Sequence, residues 1–443
     1  MSSLSLLELL MFVSSCALTT EEWGVRNPSV LYEVHGVPGE RLGGSFEVLG
    51  DVDGDGIGDF VVSGLGGAQV VFHGPGSATI VSGRTGERLV RIAGDATLGS
   101  AMSLDDAFGM HLHSVGDVDG DGARDFAVTA IGGDWDAQDL VYAYSGRSGK
   151  ELWRAPSDRV RLGGKLLGLG DLDEDGAEEL GLVDMLTGSM CVFAGRNGRL
   201  LFEVRETSDR VADVQNTKGP QPRLLVLSLL GKRPHVSAEF ILRTLSGDST
   251  VDSCGWKPAA GRVKGAQLVR DLDGDGIEDG LFLTVVEGRA ANGERDEADC
   301  RLTAVSSRSG VELYSVLLHT GSRDDVVDFV PSDDASGAVE PLVAVLIRQA
   351  GFSRRRPEEI QFHSLMTGGF RGATGWNHEI RFCPGEGRVG WVGDLDGDGL
   401  EELAIGETSW SEPSEAELPR GRVLVLSFRS SEQGSSGAPV TPR

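Results

Sequence analysis

Five near-identical acidic segments divide this chain into repeats. The segments are GDVDGDGIGDFVVS from Gly50, GDVDGDGARDFAVT from Gly116, GDLDEDGAEELGLV from Gly170, RDLDGDGIEDGLFL from Arg270 and GDLDGDGLEELAIG from Gly393. Self-similarity at a period of tens of residues is typical of architectures built from one repeated structural unit. The third and fourth gaps between the segments are each about twice as long as the first two, and degenerate segments from Val211 and Val326 fill them. The sequence therefore predicts seven repeats, near positions 51, 117, 171, 213, 271, 328 and 394.

A β-hairpin pattern follows each repeat up to the sixth. Its clearest copies are IVSGRTGERLVRI, VYAYSGRSGKELWR, VFAGRNGRLLFEV and LTAVSSRSGVELYSV, with weaker copies around Gly247 and Gly368. Each copy joins two strands of alternating apolar residues through a turn that contains glycine. The seventh repeat ends instead in Val423 to Phe428 with no partner strand after it, whereas Val30 to His35 precedes the first repeat as a strand without a hairpin. We therefore predict that these two strands pair and close the repeats into a ring.

The composition favours short strands and many turns over long helices. Glycine accounts for 64 of the 443 residues, roughly twice its ordinary usage, and aromatic residues for only 6%. A ring of small antiparallel sheets also leaves only short, protected sheet edges. We predict an all-β, seven-bladed β-propeller of four-stranded antiparallel blades, with the N-terminal strand paired to the C-terminal strands. It forms a single domain over 23–429, between a signal-like, lipobox-like segment at 1–22 and a disordered polar tail at 430–443.

The N-terminal segment predicts export. Leu4 to Val13 resembles the apolar region of a signal peptide, and Val13 to Cys16 resembles the bacterial lipobox, whose cysteine is lipidated. No lysine or arginine precedes this region, so three interpretations stay open: a start codon assigned too late, a weak secretory signal, or a frayed terminus. We expect an extracellular, cell-surface or periplasmic protein, and leave a lipid anchor at Cys16 open. No uncharged apolar run reaches about 18 residues, so a transmembrane span is not expected.

The other cysteines are too few for a disulfide scaffold. Apart from Cys16, they are Cys191, Cys254, Cys300 and Cys383. Cys254 and Cys300 flank the acidic segment of the fifth repeat, which starts at Arg270, so a bridge between them is one interpretation, and buried free thiols are the other.

The acidic segments place oxygen ligands at the spacing of a cation-binding loop. In the pattern DxDGDGxxD, carboxylates stand at positions 1, 3, 5 and 9, and the glycine at position 6 permits the sharp turn that brings them together. These carboxylates, with a backbone carbonyl at position 7, match the ligands of Ca²⁺, whereas Mg²⁺ requires a stricter octahedron. An EF-hand needs glutamate at position 12, but position 12 here is an apolar strand residue: Val62, Val128, Leu182, Phe282 or Ile405. We therefore predict about five structural Ca²⁺ ions in strand-to-strand loops.

These loops, together with Phe108 and Gly109 before the second of them, resemble the FG-GAP repeats of the integrin α-chain N-terminal propeller and its bacterial relatives. The resemblance covers nearly the whole chain, although the GAP element is reduced to 131–133 or 64–66. It implies a calcium-stabilised binding or adhesion module, usually outside the cell. The metal ligands that it implies are Asp51, Asp53, Asp55 and Asp59; Asp117, Asp119, Asp121 and Asp125; Asp171, Asp173, Asp175 and Glu179; Asp271, Asp273, Asp275 and Asp279; and Asp394, Asp396, Asp398 and Glu402. Glu174 replaces the usual glycine of the third loop.

The net charge narrows the classes of partner, and the absence of common catalytic motifs from the sequence favours a binding module over an enzyme. A formal charge of −27 repels phosphate backbones, so nucleic acid is not an expected partner. The sequence contains no His-Glu-x-x-His, nucleophile elbow, P-loop or Cys-x-x-Cys motif. We predict a monomeric, non-enzymatic module that binds a protein or glycan. The alternatives are the propeller of an extracellular enzyme, similar to a polysaccharide lyase or a quinoprotein, and a structural scaffold in an envelope assembly.

Histidine and tryptophan positions are interpreted as packing features. His111 and His113 lie two residues apart on a predicted strand, a spacing that some metal sites use, but blade packing or a surface position is favoured. Trp153 and Trp391 occupy strand positions that more often pack blades than bind sugars.

Overall fold

Runs of apolar residues separated by glycine turns form short strands throughout the chain. The computed structural model describes residues 29–66, 76–94, 108–130, 139–157, 165–183, 189–204, 210–217, 223–230, 237–244, 250–287, 298–321, 326–332, 340–347, 358–376, 388–408, 410–411 and 419–428. In these ranges 28 strands form seven four-stranded antiparallel sheets, and no helix is long and apolar enough to cross a membrane. The predicted seven-bladed propeller is confirmed, whereas the segments predicted at 1–22 and 430–443 lie outside the described residues.

The four strands of each blade are ordered from the centre of the ring to its edge. The first strand is the innermost, since the first strands of neighbouring blades contact one another. The first strands of blades 1 to 7 are β2 (Leu42–Gly50), β6 (Leu112–Gly116), β10 (Lys165–Gly168), β14 (Arg210–Thr217), β18 (Arg262–Val269), β22 (Val326–Pro331) and β26 (Arg388–Trp391). The second strands are β3 (Asp59–Gly64), β7 (Asp125–Ala130), β11 (Leu180–Val183), β15 (Arg223–Leu230), β19 (Asp279–Glu287), β23 (Leu342–Ile347) and β27 (Leu403–Glu407). The third strands are β4 (Ser77–Val81), β8 (Asp139–Tyr144), β12 (Met190–Phe193), β16 (Ser237–Thr244), β20 (Ala298–Val305), β24 (Glu358–Ser364) and β28 (Arg422–Ser427). The outermost strands are β5 (Arg88–Ala93), β9 (Glu151–Ser157), β13 (Leu200–Val204), β17 (Thr250–Trp256), β21 (Glu312–Gly321), β25 (Phe370–Trp376) and β1 (Ser29–His35).

The N-terminal strand completes the last blade. In blade 7 the strand order is β26-β27-β28-β1, so the start of the described chain supplies the outermost strand of the sheet that ends it. Val34 of β1 pairs with Val423 of β28 in an antiparallel ladder. Just after β1, the Gly36 N–H donates to the Gly421 carbonyl at 3.0 Å. The predicted closure of the ring by these two strands is confirmed.

The core of the described structure is divided into seven apolar clusters, one between each pair of neighbouring blades. The cluster between blades 7 and 1 contains Val34, Phe60 and Val423, each at most 2% exposed. The cluster between blades 1 and 2 contains Phe108 and Phe126. Since every blade shares its apolar faces with two neighbours, an open ring would leave two of these faces in water.

A glycine in each described hairpin turn lets the preceding blade pack directly onto that turn. These turn glycines have φ between 64° and 72°, a left-handed conformation that favours glycine: Gly86, Gly149, Gly198, Gly310 and Gly368. A Cβ at these positions would meet, respectively, Tyr32, Val90, Trp153, Cys254 or Tyr314 of the preceding blade's outermost strand. Three of these residues also donate a hydrogen bond to the turn: Tyr32 to the Gly83 carbonyl at 2.8 Å, Trp153 to the Gly195 carbonyl at 2.8 Å and Tyr314 to the Leu365 carbonyl at 2.7 Å. The turns predicted at these glycines are therefore confirmed, and their role is contact between blades.

Substituting Gly198 by alanine should cost more stability than the same change at Gly50. Both glycines have positive φ, but a Cβ at Gly198 would lie 2.5 Å from the Trp153 ring, whereas a Cβ at Gly50 would meet nothing within 4 Å. We expect about 1–2 kcal/mol for the backbone strain in Gly50→Ala and about 3 kcal/mol for Gly198→Ala, because the indole must also move. Urea unfolding of both variants measures the difference. Equal losses would show that the contact between blades contributes nothing.

The described cysteines are not joined by disulfides. Cys191, Cys254 and Cys300 form no disulfide, and Cys383 lies outside the described residues. Cys254 lies on the outermost strand of blade 4 with its Sγ against the turn at Gly310, whereas Cys300 is buried in the third strand of blade 5. The interpretation of a bridge between Cys254 and Cys300 is therefore wrong. The two residues flank one acidic segment in the sequence, but they lie on strands of two different blades.

Candidate metal centres

The five acidic loops lie at equivalent places in blades 1, 2, 3, 5 and 7. Each loop joins the first strand of its blade to the second, so that position 9 begins the second strand or directly precedes it. Because the strands have the same order and direction in every blade, the five loops lie on one face of the ring. The apolar residues at position 12 lie within the second strands, which confirms the predicted strand-to-strand setting and excludes an EF-hand.

The aspartate at position 1 organises the loop around its own carboxylate. Asp51 Oδ1 accepts hydrogen bonds from the N–H groups of Gly54 at 2.7 Å and Asp55 at 3.0 Å, and Oδ2 accepts one from Gly56 at 2.9 Å. The loops at Asp117, Asp271 and Asp394 repeat this pattern. The position-6 glycines have φ between 85° and 90°: Gly56, Gly122, Gly176, Gly276 and Gly399. Glycine is therefore required at the sharp turn, as the sequence predicts.

The carboxylate at position 9 is buried beneath each loop. The five residues at this position have no solvent exposure: Asp59, Asp125, Glu179, Asp279 and Glu402. Asp59 Oδ2 accepts a hydrogen bond from the Val52 N–H at 2.7 Å, and Oδ1 accepts one from Gly83 in the hairpin turn at 2.8 Å. Asp125 and Asp279 make the same bond to their own hairpins, each at 3.0 Å. Position 9 thus joins the acidic loop to the hairpin of the same blade.

Carboxylate oxygens from positions 1, 3 and 9 converge in all five loops. In each loop one oxygen from each position lies within 4.8 Å of the other two. The clusters are Asp51, Asp53 and Asp59; Asp117, Asp119 and Asp125; Asp171, Asp173 and Glu179; Asp271, Asp273 and Asp279; and Asp394, Asp396 and Glu402. The position-5 aspartates, also predicted as ligands, lie outside these clusters, and their Oδ1 atoms accept hydrogen bonds from position 7: Asp55, Asp121, Asp175, Asp275 and Asp398.

Burial opposes ionisation of the position-9 carboxyls. Burial, reinforced by the charges of neighbouring aspartates, raises the pKa of Asp125 and of Asp279 to about 6, of Glu179 to about 7 and of Glu402 to about 8. The pKa of Asp59 is raised for the same reason. A cation held by the cluster would favour the ionised form of each buried carboxyl.

Glu402 gives the most direct structural indication that a cation fits. Its side chain is fully buried, and its Oε2 accepts a hydrogen bond from the Leu395 N–H at 2.5 Å. Its Oε1 is also buried and has no hydrogen-bond partner within the part of the chain that the structure describes. A buried polar atom without a partner costs about 1–3 kcal/mol. A hard cation shared with Asp394 and Asp396 would satisfy this oxygen, and an all-oxygen donor set suits Ca²⁺.

Two kinds of departure from the repeat pattern affect the carboxylate clusters differently. Glu174, in the glycine position of the third loop, adopts a φ of 60°, yet the three carboxylates of that loop still converge. In the degenerate repeats, Asp213 Oδ2 accepts a hydrogen bond from the Leu268 N–H at 2.8 Å, and Asp328 lies 3.9 Å from the Arg388 guanidinium. The described residues of these two blades contribute no acidic cluster.

Four arginines that contact the acidic loops were not predicted. The Nε atoms of these arginines lie 2.9 to 3.7 Å from the position-5 carboxylates: Arg84 with Asp55, Arg147 with Asp121, Arg196 with Asp175 and Arg308 with Asp275. Each arginine stands two residues before the turn glycine of its hairpin. The signal was present in the hairpins as SGRTG, SGRSG, AGRNG and SSRSG, but only the fold brings the hairpin against the loop.

His113, Trp153 and Trp391 lie in contacts between blades. His113, in blade 2, contacts Glu47 of blade 1 at 3.3 Å and Glu178 of blade 3 at 3.7 Å. Burial opposes its protonation, but these two carboxylates raise the pKa of His113 to about 10. His111 precedes the strand, and burial lowers its pKa to about 4. Trp391 donates a hydrogen bond to the Val330 carbonyl of blade 6 at 3.3 Å, so the packing role predicted for Trp391, as for Trp153, is confirmed.

Comparisons with known proteins identify the fold alone. No family model matches the chain, and no curated protein matches it. Among solved structures, it is similar to the propeller in a crystal structure of BBS1N in complex with ARL6DN, soaked with lead. The TM-score is 0.50 and the identity 9%, over 91% of this chain and 97% of that chain. At this identity the similarity shows a shared fold, and the resemblance to FG-GAP repeats stays a prediction from the sequence.

Proposed function

We propose that this protein is a secreted or surface-tethered, calcium-binding propeller that acts as a non-enzymatic binding or adhesion module for a protein or glycan. The observation that carries the metal assignment is the convergence of three carboxylates, one of them fully buried, at the same place in five blades. Burial of these carboxyls next to other acidic groups supports a bound cation, because a nearby positive charge favours their ionised form against the cost of desolvation. The buried Glu402 oxygen without a partner supports the same assignment.

The carboxylates at positions 1, 3 and 9 would hold each ion, and the position-5 aspartates remain predicted ligands. When bound, Ca²⁺ neutralises the repulsion among these groups, and five ions would add ten positive charges to the formal charge of −27. Position 1 orders the loop, and position 9 fixes the loop to the hairpin through Gly83, Gly146 or Ser307. Each site therefore lies within a single blade, which favours a structural role over a shared recognition site.

Replacing Asp273 by alanine should remove one ion and leave partner binding intact. The change deletes a position-3 carboxylate from one cluster. We expect calcium stoichiometry to fall by about one and stability by about 1–3 kcal/mol, because an acidic cluster is left without its cation. Isothermal calorimetry and thermal unfolding measure the two effects, and Asp53→Ala should behave alike.

Asp299→Ala is the matched control, since Asp299 lies in the same blade and accepts a hydrogen bond from Thr320 at 2.8 Å, outside the loop. This control should keep the wild-type stoichiometry. Loss of partner binding in Asp273→Ala without a change in melting temperature would show that the calcium belongs to a recognition site.

The binding role is supported by the architecture and by the chain's chemistry. The propeller of BBS1N, which this chain resembles in fold, is in complex with ARL6DN in its crystal structure. The catalytic motifs named above are missing from this sequence, and its N-terminal segment resembles an export signal. Protein and glycan arrays probed with and without calcium test the proposal. Binding that is lost on chelation and restored by calcium is expected, whereas turnover of a glycan would support the enzyme alternative.

A further inference from the structure

The hairpin arginines contact the position-5 aspartates, which are not among the clustered carboxylates. In blade 1, Arg84 Nε donates to Asp55 Oδ2 at 2.9 Å, and Nη2 donates to the Asp55 carbonyl at 2.8 Å. Arg196 makes the same two contacts with Asp175 in blade 3. The Oδ1 atom of Asp55 already accepts the N–H of Ile57 at 2.8 Å. Both side-chain oxygens of Asp55 are therefore engaged within the protein.

The arginine occurs in the blades that carry an acidic loop and is replaced in the blades that do not. In the sequence, the hairpins of blades 1, 2, 3 and 5 have Arg84, Arg147, Arg196 and Arg308 two residues before the turn glycine. In the two degenerate blades this position is Leu245 and Met366. In blade 7, Arg429 follows Ser427 as Arg84 follows Ser82, although it lies outside the described residues. The match between arginine and loop within one chain indicates that the two features act together.

We propose that each hairpin arginine is a built-in counter-cation that holds the acidic loop closed without metal and lowers its affinity for Ca²⁺. This inference rests on the proposed function. Four carboxylates in one loop repel one another, and a guanidinium at 2.9 to 3.7 Å from one of them reduces that repulsion. The same positive charge repels an incoming cation. The charge of a site is one factor that sets calcium affinity, so the arginine favours the weaker binding that suits millimolar calcium.

A purely structural arginine would have a different effect. If it only fastened the hairpin to the loop, its removal would weaken the loop with and without calcium and would leave or reduce the affinity. A counter-cation instead stabilises the metal-free loop more than the metal-bound loop. Linkage then requires that its removal tightens calcium binding.

Calcium titration monitored by hydrogen exchange and mass spectrometry resolves the loops individually. In Arg308→Met, the segment 271–279 should exchange faster than in the wild type when calcium is absent. Its midpoint, the calcium concentration that gives half of the full protection, should be about two- to tenfold lower, as expected for the loss of a nearby charge screened by solvent. The other four loops should keep their midpoints. Arg308→Lys, which retains the charge, should restore the midpoint to near the wild-type value.

Arg154→Met is the matched control. Arg154 is similarly exposed, at 59% against 61% for Arg308, and pairs with Glu151 on an outermost strand. It should leave every midpoint unchanged. A midpoint for 271–279 that is unchanged or higher in Arg308→Met, while the wild type responds to calcium, would overturn the counter-cation role alone. A wild-type protein whose five loops do not respond to calcium would overturn the calcium assignment itself.

Discussion

Deleting residues 1–36 should destabilise the last blade strongly, whereas deleting 430–443 should leave stability nearly unchanged. The first deletion removes β1, which supplies the ladder to β28, the buried Val34 and the hydrogen bond from Tyr32 to blade 1. Burial of Val34, Leu31 and Tyr32 contributes roughly 5 kcal/mol in total. The loss also exposes β28 as an unpaired sheet edge. Thermal unfolding of both truncations measures the effect, and equal losses of melting temperature would contradict the closure.

Two substitutions within β1 test the packing of this strand without shortening the chain. Val34 is 2% exposed between blades 7 and 1, whereas Val30 is 38% exposed. Val34→Asp buries a charge and should cost about 3–5 kcal/mol, while Val30→Asp should cost less than about 1 kcal/mol. A similar cost at both positions would mean that β1 does not pack as the closing strand.

Removing calcium should lower the stability of the whole propeller. If each site binds with a Kd of about 10⁻⁴ to 10⁻³ M, ten times that concentration stabilises the fold by roughly 1.4 kcal/mol per site and roughly 7 kcal/mol for five sites. That sum is comparable to the net stability of a typical domain. Chelation should therefore reduce the melting temperature by many degrees, and returning calcium should restore it.

Magnesium at equal ionic strength is the control for screening. It should restore only a small part of the loss, because screening acts on exposed charges and Mg²⁺ fits an octahedral site better than these loops. A melting temperature that is independent of calcium would contradict the structural role of the metal.

The architecture was predictable because its signals are local and repeated. The spacing of the acidic segments gave the number of blades, and the incomplete hairpin of the seventh repeat located the closing strand at Val30 to His35. The glycine at each hairpin turn, such as Gly86, also followed from the short-range pattern. These features can be identified from neighbouring residues and from a count of repeats. None of them requires knowledge of the distances between blades.

Contacts between strands far apart in the sequence were not predictable in the same way. The pairing of Arg308 with Asp275 joins two motifs that appear separate along the chain. A bridge between Cys254 and Cys300 was one of two interpretations of the sequence, but the two residues lie in different blades and form no disulfide. The spacing of the acidic loop also did not show that Asp55 accepts hydrogen bonds from Ile57 and Arg84. Side-chain direction within a loop depends on the hairpin packed against it, which residue spacing does not specify.

The number of Ca²⁺ ions bound per chain tests the central claim most directly. Native mass spectrometry of the full chain at millimolar calcium, with calorimetry for affinity, counts the ions. The five carboxylate clusters predict about five Ca²⁺, with none contributed by the blades that contain Asp213 and Asp328. Asp273→Ala should reduce the count by about one. Fewer than about three ions, or a strict preference for Mg²⁺, would contradict the account and reduce the loops to acidic turns.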